Sequence, residues 1–236
     1  MRSPITLSVA QPRCHPHDVE ANAVEHARIV AGAGARVVVF PELSLTGYHF
    51  DAQPIPDGDR RLAPLVAACG EHGAIALVGA PIAADGDRHI AMLAVDGDGA
   101  TAVYHKMFLG SAEQAAFSPG GEPAVLDVDG WRLGLAVCKD TGVAAHAEAT
   151  AELGIDVYVA GVLETLDDAD VQPERARAVV EHHGVWVAIA SFAGSTGEGF
   201  DQAAGGSAIW APDGRLIASA GPDAGAWATA VLTTTD

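Results

Sequence analysis

Four side chains that could carry acid–base or nucleophilic chemistry stand where predicted strands end in turns. They are Glu42 after the apolar run VVVFP, Lys106 in YHKMFLG, Glu113 in EQAAFSPG and Cys138 at the end of GLAVC. A free thiol has a pKa of ~8.5 and needs a neighbouring base or cation to act as a nucleophile near neutral pH. A carboxylate in a partly desolvated pocket has a raised pKa and can accept the thiol proton. These residue types therefore fit covalent catalysis by a cysteine.

Each of the four residues also has an ordinary structural interpretation when it is taken alone. A strand-end carboxylate such as Glu42 is usually solvated, and a lysine such as Lys106 usually extends its ammonium group to water. A glutamate in a segment such as EQAAFSPG usually lies on the surface, which is the ordinary expectation for Glu113. A lone cysteine after GLAV is usually an inert core residue. The ten histidines give no recognisable cysteine–histidine protease signature. Taken singly, the residues leave the choice open.

The elements that must position these residues alternate between helix–strand units and hairpins. Helices are predicted where apolar residues recur at three- and four-residue spacings, with Asp18 as the N-cap of the first helix. Short apolar runs predict strands, including residues 36–43 and the segment that ends at Cys138. Hairpins are predicted at DGDGA, at Asp129-Gly130 and at residues 212–214. The pattern predicts one α/β domain over residues 1–236 with mixed sheets.

Composition narrows the possible partners and the cellular location. Lysine and arginine number 13 against 31 aspartate and glutamate residues, and the net charge of −18 would repel nucleic acid and anionic lipid. No apolar stretch reaches the ~18 residues of a membrane span, and no signal sequence is evident. The three cysteines form no close pair, which argues against a disulfide framework. We therefore predict a cytoplasmic protein with reduced thiols that binds neither nucleic acid nor membrane.

The four candidate residues occur in an ordered set of motifs. The chain contains F-P-E-L-x-x-T-G-Y around Glu42, Y-x-K-x-x-L around Lys106, E-x-x-x-F-x-P-G from Glu113 and G-x-x-x-C-x-D around Cys138. In this order the motifs resemble the nitrilase superfamily of carbon–nitrogen hydrolases, and the resemblance covers nearly the whole chain. It implies an α-β-β-α sandwich of two mixed sheets with outer helices, which members commonly pair into a homodimer.

The resemblance also implies a mechanism for hydrolysis of a small amide or carbamoyl compound. Glu42 would be the base, Cys138 the nucleophile that forms a thioester, and Lys106 the cation that stabilises the oxyanion together with the Lys139 backbone N–H. Glu113 would hold Lys106 charged and oriented. No metal or organic cofactor is required. The same chemistry also permits nitrile hydrolysis or acyl transfer to an amine, and a non-catalytic binding member of the fold is a third alternative.

One departure from the family pattern lies next to the cysteine. Many members carry an aromatic residue and a Pro-Glu pair there, whereas this chain has KDTGVAA at residues 139–145. Lys139 and Tyr48 are the candidate substrate contacts. A second cation at Lys139 would favour an anionic substrate, but strand alternation would point its side chain away from the pocket. Pairing of Lys139 with Asp140 or another acid is the plainer expectation.

Overall fold

The computed structural model describes residues 2–234, and its first helix begins directly after the predicted N-cap residue, Asp18. The Asp18 carboxylate accepts a hydrogen bond from the Ala21 N–H at the start of the first helix, as an N-cap residue does. Gly34 ends the same helix in the left-handed conformation, with φ of 59°. The helices are α1 (Val19–Ala33), α2 (Ala63–His72), α3 (Ala144–Glu152) and α4 (Val171–His183).

Most strands of the chain form two six-stranded mixed sheets. In each sheet three neighbouring strands run parallel and the strands flanking them run antiparallel. The first sheet has the order β14 (Ala226–Leu232), β1 (Ile5–Gln11), β2 (Val37–Val39), β3 (Ile75–Ala84), β4 (Asp87–Val95) and β5 (Ala100–His105). The second has the order β13 (Leu216–Ser219), β12 (Ala208–Trp210), β9 (Trp186–Ser191), β8 (Val157–Val162), β7 (Trp131–Val137) and β6 (Val125–Val128). A separate two-stranded ribbon joins β10 (Ala193–Gly194) to β11 (Ala203–Ala204).

Three apolar layers hold these elements together. The central layer contains inward side chains of both sheets, such as Leu7 and Val159, which shows that the sheets pack face to face. A second layer joins α1 and α2 to the outer face of the first sheet, and a third joins α3 and α4 to the outer face of the second sheet. The predicted α-β-β-α sandwich is therefore confirmed.

Two strands end earlier than the sequence predicts, and both end just before a candidate catalytic residue. The strand predicted over residues 36–43 covers only Val37–Val39, because Pro41 has no N–H to donate to a sheet ladder. The strand predicted to end at Cys138 ends at Val137, and a 3-10 helix covers Cys138–Gly142. The candidate catalytic residues thus lie just beyond the strands and not within them. Within residues 2–234, no helix is long and apolar enough to cross a membrane.

Candidate active site

Glu42 follows β2 and is buried between the ends of the two sheets. The chain passes so close to Gly79 on β3 that an added Cβ would lie 2.5 Å from the Pro41 carbonyl oxygen. On the other side, a Cβ added to Gly161 on β8 would lie 2.6 Å from the Phe40 carbonyl oxygen and 3.0 Å from the Glu42 nitrogen. Two glycines therefore make room for the backbone that carries Glu42.

Cys138 lies at a sharp turn between β7 and the short 3-10 helix. Its φ is +43°, which is uncommon for a residue with a side chain. The Thr141 hydroxyl donates to the Cys138 carbonyl oxygen at 2.6 Å, and the Cys138 thiol points to the Leu163 carbonyl at 3.7 Å. The turn is thus held from within, and the side chain keeps partial access to solvent.

The Lys106 ammonium group joins two buried carboxylates. Its side chain is 1% exposed, and Nζ donates to Glu42 Oε1 at 2.6 Å. It also donates to both oxygens of Glu113, at 2.7 and 2.8 Å. A buried cation needs such partners, because burial without them would favour its neutral form.

Glu113 is buried and not a surface residue, contrary to what its own neighbourhood in the sequence suggests. Besides the two contacts with Lys106, it accepts hydrogen bonds from the Tyr48 hydroxyl and the Gly110 N–H, both at 2.6 Å. The loop that carries it forms a 3-10 turn over Glu113–Ala115, so the carboxylate faces inward. Four hydrogen bonds from three donor groups, one of them the Lys106 ammonium group, therefore fix this carboxylate in place.

The charges of the three groups depend on one another. Burial raises the pKa of Glu42 to about 8, although Lys106 opposes the shift. Burial also raises the pKa of Glu113, but the charge and hydrogen bonds of Lys106 outweigh it and leave that pKa below its ordinary value. Burial would lower the pKa of Lys106, yet the negative charges around it raise that pKa overall. Of the two carboxylates, Glu113 is therefore the one that favours the ionised form beside Lys106, and Glu42 is the one whose pKa is raised toward neutral pH.

The Cys138 thiol lies within the electrostatic reach of this group. Its pKa is raised, first by burial and then by the charge of Glu42, while Lys106 lowers it. The thiol is therefore protonated at neutral pH and requires a base to become a nucleophile. Glu42 retains one buried carboxylate oxygen, Oε2, without a hydrogen-bond partner among the described residues.

A second buried network, which sequence reasoning missed, connects the cysteine turn to the lysine strand. Asp140 accepts hydrogen bonds from the Val137 and Phe108 N–H groups at 2.9 and 2.8 Å and from the Tyr104 hydroxyl at 2.7 Å. His146 Nε2 lies 2.9 Å from the same hydroxyl. Because the Tyr104 proton goes to Asp140, this histidine nitrogen must be the donor. Asp140 and Tyr104 occur in the quoted motifs, whereas nothing in the local sequence indicates His146.

Comparison with known proteins identifies the family. The family model described as carbon–nitrogen hydrolase matches residues 6–235, which is nearly the whole chain. The chain is a carbon–nitrogen hydrolase. A Pseudomonas protegens protein described as a hydrolase in the pqqF 5′ region is 30% identical to it over 234 residues, covering 92% of this chain and 80% of the relative. An (R)-stereoselective amidase from a Pseudomonas species is 26% identical over 193 residues, covering 79% and 69% of the two chains.

Solved structures agree with this assignment. Saccharomyces cerevisiae Nit3, a member of the nitrilase superfamily, matches the hydrolase with a TM-score of 0.85 at 20% identity, covering 97% of this chain and 90% of that one. A cysteine-to-alanine variant of the Nesterenkonia amidase in complex with butyramide matches with a TM-score of 0.80 at 25% identity, covering 97% and 90% of the two chains. These matches confirm the resemblance to the nitrilase superfamily and the predicted fold.

The prediction that the Lys139 side chain, directed away from the pocket by strand alternation, pairs with Asp140 or another acid is wrong. Strand alternation does not apply, because the strand ends before Cys138. Lys139 Nζ donates to the Leu109 carbonyl oxygen at 2.7 Å, whereas both Asp140 oxygens are taken by other donors. Lys139 also lines a cavity of about 530 Å³ whose walls include Phe108 and Phe117.

The second predicted substrate contact, Tyr48, lies beside the catalytic candidates of the hydrolase. Its hydroxyl donates to Glu113, and its backbone N–H donates to the Thr196 hydroxyl at 2.9 Å. Phe50 and Phe200 pack edge-on against its ring, with centroids 5.0 and 5.4 Å away. The structure therefore brings Tyr48 to Glu113, where its ring contributes to an aromatic cluster.

Proposed function

We propose that the protein hydrolyses the C–N bond of a small carboxamide or carbamoyl compound through a thioester on Cys138. The observation that carries this proposal is the buried Lys106 ammonium group held between Glu42 and Glu113, within electrostatic reach of the Cys138 thiol. This arrangement supplies a proton acceptor and a fixed positive charge beside a thiol, and acyl transfer needs all three.

In the first half of the reaction, Glu42 accepts the Cys138 thiol proton as the sulfur attacks the substrate carbonyl carbon. The carbonyl oxygen becomes an oxyanion, which Lys106 and the Lys139 N–H stabilise. Lys139 stands near the start of a 3-10 helix, where backbone N–H groups have no acceptor within the helix. Glu42 then gives its proton to the departing nitrogen, so that ammonia or an amine leaves and the acyl group stays on sulfur.

In the second half, water replaces the amine. Glu42, ionised again, accepts a proton from a water molecule that attacks the thioester carbonyl carbon. The same donors stabilise the second oxyanion, and its collapse breaks the C–S bond. The carboxylic acid is released and the proton returns from Glu42 to the sulfur. The raised pKa of Glu42, about 8, suits a group that must both accept and donate protons near neutral pH.

The choice of an amide over a nitrile is supported by the relatives described as amidases. The apolar walls around Tyr48 and Phe117 favour an acyl group without charge at that end. Lys139 is exposed, and its ammonium group is bound to a carbonyl oxygen, which gives no specific support for an anionic substrate.

A substrate panel tests the proposal. Amides, carbamoyl amino acids and nitriles would be screened by ammonia release, with free acid measured in parallel and Cys138→Ala as the control. We expect ammonia and free acid from at least one amide or carbamoyl compound, and a Cys138 acyl adduct in the quenched reaction by mass spectrometry. A conjugated amide in place of the acid would identify an acyltransferase, and turnover of nitriles alone would identify a nitrile hydrolase. Alkylation of Cys138 no faster than that of Cys14 or Cys69 would indicate a non-catalytic member.

We further propose a homodimer or higher homo-oligomer formed through α3 and α4, in a cytoplasmic setting. A cleft of about 730 Å³ between these helices is lined by small residues such as Ala147 and Ala178, so that a helix of a second copy could approach closely. The free cysteines and the strong negative charge suit a reducing compartment without nucleic acid or membrane partners. Light scattering on the purified protein tests the assembly, since a monomeric mass would contradict it.

A further inference from the structure

Outside the catalytic group, three potential metal ligands come together at the protein surface. His17, His49 and Asp51 each offer one ligand atom, and all these atoms lie within 4.8 Å of one another. His17 Nε2 is 3.7 Å from Asp51 Oδ1, and the two imidazole rings lie 4.1 Å apart between centroids. His17 and Asp51 are exposed, while His49 is half-buried.

A fourth potential ligand lies next to this cluster. The Glu198 carboxylate accepts a hydrogen bond from the Phe50 N–H at 3.1 Å. It is also close enough to act electrostatically on the His49 ring. Glu198 is not one of the three residues whose ligand atoms lie within 4.8 Å of one another, but it stands beside them and could join them after its side chain rotates.

The chemistry of this set fits a divalent transition metal, and Zn²⁺ in particular. Zinc binds imidazole nitrogen and carboxylate oxygen at about 2.0–2.2 Å, so that tetrahedral ligands lie about 3.3–3.6 Å apart. The 3.7 Å contact is already near this separation, and rotation of the exposed side chains can close the wider ones. His49 Nε2 is buried without a hydrogen-bond partner in the part of the chain that the structure describes. Among the described residues, His49 Nε2 therefore lacks the hydrogen-bond partner or ligand that a buried ring nitrogen normally has.

The cluster joins segments that are remote in sequence and border the catalytic group. His49 directly follows Tyr48, whose hydroxyl donates a hydrogen bond to Glu113, and Asp51 comes two residues after His49. Glu198 comes from the loop whose Thr196 holds the Tyr48 backbone. An ion bound here would link the segment before α1 to both of these loops.

We propose that His17, His49 and Asp51, with Glu198 as a fourth ligand, form a binding site for Zn²⁺ or a similar transition metal, separate from the catalytic residues. The ion fastens the loop that carries Tyr48 and stabilises the folded chain. This proposal stands independently of the substrate, because it concerns residues that do not take part in the reaction.

Calorimetric titration of the full-length, metal-free protein with Zn²⁺ tests the site. We expect one ion per chain, an affinity at least about tenfold lower in His17→Gln and in Asp51→Asn, and no change in His182→Gln, which removes an exposed histidine of α4. Zn²⁺ should also raise the melting temperature of the parent protein and not that of His17→Gln.

The competing site for Zn²⁺ is the Cys138 thiol, and two measurements separate that site from the proposed one: Zn²⁺ binding by Cys138→Ala and the absorption spectrum of the Co²⁺-loaded parent protein. Retained Zn²⁺ binding in Cys138→Ala, with no thiolate-to-cobalt charge-transfer band in the parent protein, supports the proposed ligands. Loss of binding in Cys138→Ala, unchanged affinity in His17→Gln, or no stoichiometric binding by the parent protein would overturn the proposal.

Discussion

Replacing Gly161 by alanine should disable the protein by moving Glu42. The added Cβ would stand 2.6 Å from the Phe40 carbonyl oxygen and 3.0 Å from the Glu42 nitrogen. Both neighbours are backbone atoms, so relief requires the Glu42 segment to move by about 0.5–1 Å, at a cost of about 1–3 kcal/mol in free energy of unfolding. Because a displacement of about 1 Å at a reacting group can cost about 100-fold in rate, we expect kcat/KM to fall by about 10- to 100-fold.

The assay is ammonia release under steady-state conditions, with urea denaturation on the same samples. Gly121→Ala is the matched control, because a Cβ added to Gly121 meets nothing within 4 Å and its φ is not in the left-handed range. The control should retain both activity and stability. If Gly161→Ala kept kcat/KM within about twofold of the parent protein, the conclusion that close packing at Gly161 fixes the base would be refuted.

The remaining predictions concern the charges and the buried networks. Glu113→Gln removes the negative charge beside Lys106 and one of the two oxygens that accept from it, and should lower kcat/KM by about 30- to 900-fold, or about 2–4 kcal/mol, mainly in kcat. A change in KM alone would argue against the orienting role. The pH profile of kcat/KM should rise with pH to an inflection near 8, because Glu42 must be ionised to accept the thiol proton and its pKa is about 8; an inflection near the ordinary glutamate value of about 4.3 would contradict this. Cys138→Ala should abolish turnover and leave the urea midpoint nearly unchanged, whereas residual turnover would exclude the thioester. Tyr104→Phe should lower the free energy of unfolding by about 1–3 kcal/mol, because it leaves buried partners unpaired; equal urea curves would count against the Tyr104 network.

Local patterns in the sequence were sufficient for the helices, the strands and the fold class, and the order of the motifs singled out the candidate catalytic residues. Strand and helix periodicities depend on neighbouring residues, and so do the capping of α1 by Asp18 and the turn at Asp129-Gly130. The ordered motifs around Glu42, Lys106 and Cys138 are likewise short segments that can be recognised without coordinates. The periodicities alone predicted one α/β domain with mixed sheets, and the family resemblance carried by the motifs implied the α-β-β-α sandwich and which side chains to examine.

Contacts between remote residues were decided only by the tertiary structure. The burial of Glu113 depends on Tyr48, 65 positions away, and on Lys106. The end of β7 before Cys138 invalidated the alternation argument for Lys139, since a turn and not a strand carries that side chain.

The same reason explains why two further features had no signal in the sequence. His146 reaches Tyr104 across 42 positions, and Glu198 contacts the backbone of the His49 loop across 148 positions. Periodicity and motifs describe what a residue is and which element it occupies. The packing of the two sheets and their connecting loops decides which charged and polar groups are buried together. Burial and proximity then determine the pKa of each group and its hydrogen-bond partners, and neither can be read from local sequence.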